Sequence, residues 1–106
     1  MRHEAQLHYG LSRGAGRFVR QILDLAGPDW VVERAGERPW ASVTFEGMRV
    51  RATLRSGGRG AACSLCQLCA TIEQADYGVH RYLVADVAAR DDGGKLGIEA
   101  LLIERA

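Results

Sequence analysis

The stretch Cys63-Ser64-Leu65-Cys66-Gln67-Leu68-Cys69 places three thiols at three-residue intervals, and the chain has no other cysteine. Thiols so spaced could ligate zinc or an iron–sulfur cluster, or act as a redox group. On a helix, however, cysteines at i, i+3 and i+6 climb successive turns, and the first and last lie roughly 9 Å apart along the axis. A ferredoxin-type run needs a fourth cysteine, often followed by proline, and this chain has neither. For zinc, His80 or Glu73 could complete the set, but the usual two ligand pairs on separate knuckles are not there. Packing is the reading adopted. At about 100° per residue, Leu65, Cys66, Leu68, Cys69 and Ile72 form a broad apolar arc opposite Ser64, Gln67, Thr71 and Gln74. Metal ligation by Cys63, Cys66 and Cys69 is the minor alternative, and no cofactor is expected.

A pair of carboxylates is the second chemical candidate. The segments RYLVADVAAR and KLGIEALLIE read as a hairpin through Asp91-Asp92-Gly93-Gly94, which pairs Ala89 with Leu96, Val87 with Ile98, Ala85 with Ala100 and Leu83 with Leu102. That register sets Asp86 opposite Glu99 on the face away from the core. Facing carboxylates repel, so an arginine, a cation or a shared proton must compensate. An enzyme could use them as a general acid/base pair or a hard-cation site, with Arg51 holding an anionic substrate. The reading adopted is an ion-pair network on a solvated sheet, and no catalytic residue is assigned.

Arginines supply the third candidate. The segments WVVER, WASVTFE and MRVRATLR read as three strands, broken at AGERP and at a tight turn over Glu46-Gly47. A two-residue loop there sets Phe45 opposite Met48, Val43 opposite Val50 and Ala41 opposite Ala52. It leaves Trp40, Ser42, Thr44, Arg49, Arg51, Thr53 and Arg55 facing outward. Arg59 follows in a glycine-rich loop, with no acidic residue between Gly47 and Gly60. An anion would find its best contacts here, and Trp40 could stack on a base. Sequence-specific nucleic-acid binding is not expected; a small anionic ligand is the alternative. The same outer face carries Tyr82, Val84, Leu101 and Ile103 from the second hairpin, and an apolar patch rimmed by charge marks a contact surface. A homodimer is the commonest form of such contact.

Other motifs return less. GLSRGAG and SGGRGA could offer backbone N–H groups to an anion, but neither has the lysine followed by serine or threonine of a phosphate loop. His3, His8 and His80 have no fixed partner, and Ser64 has no visible base.

The elements that must position these residues follow from periodicity. Phe18, Val19, Ile22, Leu23 and Ala26 recur at helical spacing from about Ala15, and Gly27-Pro28 ends that helix. A second helix is expected over 61–75, and Ala5, Leu7 and Tyr9 suggest a short first strand. The expected fold class is α+β, a two-layer sandwich in which two helices cover one face of a mostly antiparallel sheet of hairpins. A ferredoxin-like order is the variant if residues 4–9 form a strand. The 106 residues suffice for one domain, 1–106, with a single core. A composition of 47% hydrophobic and 25% charged residues is globular rather than disordered, and no internal repeat is evident.

A formal charge of +1 excludes a strongly acidic or basic field, so electrostatic binding must come from local patches. Lys95 is the only lysine among many arginines, a bias expected of a GC-rich bacterial genome. No apolar run approaches the roughly 18–20 residues of a membrane span or has the form of a signal peptide. The expected compartment is the cytoplasm, where thiols stay reduced. The function expected is a non-enzymatic binding or assembly module, self-associating through the outer sheet face. The alternatives are an anion- or nucleic-acid-binding domain and an enzyme built on Asp86 and Glu99.

Overall fold

The computed structural model describes residues 10–57 and 62–105. Helix α1 (Arg13–Ala26) begins at Ser12, whose Oγ accepts the Ala15 N–H at 3.4 Å. The Ser12 N–H in turn donates to Glu37 Oε1 at 2.6 Å. Gly27, at φ 103°, stops the helix and donates its N–H to the Leu23 carbonyl. The helical spacing read from the sequence buries Phe18, Val19 and Ile22, with Ala15 beside them.

Four strands follow: β1 (Trp30–Ala41), β2 (Glu46–Ser56), and, after helix α2 (Ala62–Gln74), β3 (Tyr82–Asp92) and β4 (Lys95–Glu104). They form one antiparallel sheet in the order β1-β2-β4-β3, with both helices on one face. The chain is thus the expected α+β two-layer sandwich. The ferredoxin-like variant depends on residues 4–9, which lie outside the described residues. None of the described helices is long and apolar enough to cross a membrane.

Alternate side chains of the two central strands meet the helices. Met48, Val50, Ala52 and Leu54 from β2 and Leu96, Ile98, Ala100 and Leu102 from β4 are buried there. From α2, Leu65 and Ile72 complete the core, while Leu68 and Cys69 are half-buried against it. Cys66 is exposed, so the arc expected to include it is narrower. Burial pushes the Cys69 thiol above its ordinary range, and the charges of Glu73, Cys66 and Asp91 add to the effect. The side chain of Cys63 lies outside the described residues, and among those described no group of His, Cys, Asp or Glu is arranged to hold a metal.

Beyond α2 the chain is pinned by polar contacts. Gln21 binds Gly78 twice, donating to its carbonyl at 2.6 Å and accepting its N–H at 3.2 Å. Tyr77 packs edge-on against Phe18 and donates its hydroxyl to the Ile72 carbonyl at 2.6 Å. Burial pushes that phenol up to about 12. Glu73 accepts the Ala89 N–H at 2.8 Å, satisfying a donor on the edge strand β3.

The hairpins differ from the expected register. AGERP does not break the chain, and β1 runs unbroken through it. Gly36 and Pro39 are tolerated because β1 is an edge strand, where the donor that proline lacks need not join a ladder. The turn lies over residues 42–45 instead. Ser42 Oγ accepts the N–H groups of Thr44 and Phe45, and the Ser42 N–H donates to the Phe45 carbonyl at 2.8 Å. Met48 therefore faces Pro39, Val50 faces Glu37 and Ala52 faces Ala35. Val43 and Phe45, expected in the core, are exposed in the turn. Gly47 is needed for a close approach rather than for a turn. A Cβ there would overlap the Leu102 carbonyl oxygen and fall 2.9 Å from Ile103 Cα.

In the second hairpin the turn is the pair Gly93-Gly94, both at positive φ, and Asp91 Oδ1 accepts the Gly94 N–H at 2.8 Å. Ala89 consequently meets Ile98 and Val87 meets Ala100. The displacement is even, so these residues keep their expected face. A bulge at Ala85, between Val84 and Asp86, then reverses the faces toward the strand's start.

The two hairpins are repeats in register. Edge strand β1 has a bulge at Glu33 and β3 has one at Ala85. Val32–Leu54, Ala35–Ala52, Gly36–Arg51 and Arg38–Arg49 in the first hairpin match Val84–Leu102, Val87–Ala100, Ala88–Glu99 and Arg90–Gly97 in the second. Each hairpin follows a helix, so the chain is two αββ halves joined by the β2–β4 ladder. Their approximate two-fold axis passes through the Arg51–Glu99 pair. The repeat escapes the sequence because it survives mainly as residue size on the inward face.

Candidate functional site

With the helices on one side, no described residue covers the other side of the sheet, which forms a continuous face. Its side chains fall into rows that cross all four strands. At one end lie Trp40, Gly47, Ile103 and Leu83. Leu83 is 49% exposed, and the β1–β2 turn adds exposed Val43 and Phe45 at the same end. The next row is Arg38, Arg49, Leu101 and Asp86, followed by Gly36, Arg51, Glu99 and Ala88, and then by Arg34, Thr53, Gly97 and Arg90.

The last two rows form an open depression of about 470 Å³, with Asp92 at one end. The outward-facing positions on its floor hold nothing larger than threonine: Gly36, Thr53, Gly97 and Ala88. A side chain at Gly36 would project into empty space, and the Arg90 side chain runs alongside Gly97. The rim is Arg34, Arg51, Arg90 and Glu99.

Charge on this face is divided. Arg34, Arg38, Arg49, Arg51 and Arg55 stand together on β1 and β2, whereas β3 and β4 carry Asp86, Asp92 and Glu99 together with Arg90 and Lys95. Arg38 lies directly opposite Arg49, an arrangement of like charges that costs stability. Neither forms an ion pair among the described residues. Arg51 lies opposite Glu99, with Nε 3.6 Å from Oε2, and so supplies the compensating arginine. Glu33 is held by Lys95 Nζ at 2.9 Å. That hydrogen bond, aided by the charges of Lys95, Arg34 and Arg55, holds the Glu33 carboxyl below its ordinary range against the opposing effect of desolvation.

The sequence-derived candidates divide accordingly. Trp40, Arg49, Arg51, Arg55, Asp86, Glu99 and Leu101 share the outer face. Tyr82 and Val84 do not: the bulge at Ala85 turns them inward, where both pack against the core. Asp86 is not opposite Glu99 either. It faces Leu101, and Glu99 faces Ala88, which makes the carboxylates diagonal neighbours and removes the close pair that an acid/base or hard-cation site required. Arg59 lies outside the described residues. Arg34, Arg38 and Arg90 were missed. The alternation Arg34, Gly36, Arg38, Trp40 was present, but reading AGERP as a break concealed it.

Comparison with protein-family models, with characterised proteins and with solved structures returns no match, so the outer face itself must carry the functional argument.

Proposed function

We propose that this chain is a small, non-enzymatic binding and assembly module of the cytosol that pairs with a second copy of itself through the outer sheet face. The reading is carried by the division of charge across that face. Consider a two-fold axis lying along the strands, above the gap between β2 and β4. It lays β1 of one copy over β3 of the other, and β2 over β4, in matching rows. Trp40 then faces Leu83 of the second copy, Arg38 faces Asp86 and Arg51 faces Glu99, each contact occurring twice. An axis across the strands would instead stack β1 on β1, arginine on arginine. Charge therefore selects the orientation, and the apolar row contributes burial.

Four strands about 4.8 Å apart, with some five outward positions each, give a footprint of roughly 600 Å² per copy. Stable interfaces average about 800 Å² per partner, so this face lies at the small end of their range. Sedimentation equilibrium of the full chain should detect the dimer, and Leu101→Arg, which sets an arginine against Arg49 of the second copy, should leave a folded monomer. Arg38→Glu should weaken the dimer by about tenfold, and adding Asp86→Arg should restore it. That rescue is specific, because neither residue has a charged partner of opposite sign directly across from it within the chain. A wild type that is monomeric at tens of micromolar would overturn the reading.

A second reading, binding of small anions or single-stranded nucleic acid, is favoured by the arginines gathered on β1 and β2 with Trp40 at the end of their rows. Its signature would be a steep salt dependence that falls by about 0.7 in log–log slope for each arginine replaced.

A further inference from the structure

The two-fold arrangement proposed above, on which this inference rests, complements the first three rows; like charges meet in the fourth, and again at the far end, where Arg55 of each copy lies over Lys95 of the other. The row Arg34, Thr53, Gly97, Arg90 turns onto itself. Arg34 of each copy faces Arg90 of the other, twice per dimer. Between them the floor is glycine, alanine and threonine, and each copy brings a depression of about 470 Å³ that its own side chains do not fill. Two carboxylates line the depression with these arginines, Glu99, which Arg51 holds at 3.6 Å, and Asp92 at its end, while Glu33 is held by Lys95. Arg90 forms no ion pair among the described residues.

We infer that a small oxyanion, a phosphate or carboxylate group, sits in this gap between Arg34 of one copy and Arg90 of the other. Guanidinium forks suit the task, since each offers paired N–H donors to two oxygens of one anion. The two-fold axis creates two such positions, hence one anion per chain. An anion held only by the dimer favours dimerisation by mass action, whereas added salt in general weakens the charge pairs by screening.

The test is sedimentation equilibrium of the full chain in pyrophosphate and in sodium chloride at equal ionic strength. Pyrophosphate at about 1 mM should lower the dimer dissociation constant at least about tenfold relative to chloride, with one site per chain by calorimetry. The double variant Arg34→Gln with Arg90→Gln should dimerise more tightly than wild type in chloride, because the repulsion is gone, and should lose the response to pyrophosphate. Gly36→Gln, which adds a side chain to the depression where a Cβ meets nothing within 4 Å, should reduce the response. A wild-type dimer indifferent to pyrophosphate, or a double variant that still responds, overturns the anion site and leaves the dimer standing. A wild type monomeric in both buffers overturns the dimer and the anion site together.

Discussion

On the side facing the helices, the first αββ half and the second are built alike. Val32, Val50, Ala52 and Leu54 correspond to Val84, Ile98, Ala100 and Leu102, a like-sized residue at each position. On the outer side the same correspondence sets Arg34 against Asp86, Arg51 against Glu99, Thr53 against Leu101 and Arg55 against Ile103, although Arg38 corresponds to Arg90. Packing explains the likeness, since facing positions in a close-packed layer must share a fixed volume. Nothing in the fold requires the outer difference, because a solvated sheet face tolerates either charge. The contrast teaches that the outer face is free to be specified by something other than folding, and self-recognition by opposite halves is a use that needs such a difference.

If the inner sides are equivalent, cavities made in them should cost alike. Leu54 and Leu102 are both fully buried. Leu54→Ala and Leu102→Ala should each lose about 2–5 kcal/mol in urea unfolding, and should differ from each other by less than about 1 kcal/mol. A large inequality would mean that one half carries the core. The halves are expected to differ most at the paired ends of the β2–β4 ladder. Gly47→Ala drives a methyl into the β4 backbone, which cannot yield as a side chain can, and should cost about 1–3 kcal/mol or more. Lys95, its counterpart in the second half, can become alanine for under about 1 kcal/mol, since only a surface pair is lost.

Strong local signals made much of this legible from the residues alone. The helical period from Phe18 to Ala26 and the alternation from Met48 to Leu54 identified α1, β2 and their buried sides. The hairpin partners were less accessible, yet Arg49, Arg51, Asp86 and Glu99 were still placed on the correct face, because the errors there were even in residues. Tyr82 and Val84 were lost to a bulge that has no residue signature beyond a lone Ala85. Glycine misled once: Gly47 reads as a turn residue, but its missing Cβ serves a neighbouring strand that no local window contains. The depression was illegible for the same reason, since its floor brings together Gly36, Thr53, Ala88 and Gly97 from four different strands.

The smallest expected effect lies at the two bulges. Glu33 occupies the bulge of β1 and is tied to Lys95 at 2.9 Å, whereas the corresponding residue of β3 is Ala85, which can form no such tie. Glu33→Ala therefore makes the first bulge resemble the second and isolates the contribution of charge to one half. The hydrogen bond and charges that hold the Glu33 carboxyl below its ordinary value of 4.5 favour the ionised form in the folded chain. The unfolded chain thus binds this proton more readily, and stability rises with pH where that difference operates. The contribution is fully present above the ordinary value and is lost as pH falls through the lower folded value. Wild type should have a slightly higher urea midpoint than Glu33→Ala at about pH 7, and the gap should narrow as pH falls below 4.5 and close below the folded value, or close at neutral pH in about 1 M salt. A gap that persists at low pH would assign the effect to the conformation of the bulge rather than to its charge, and the two halves would then differ at this point in backbone preference as well as in surface.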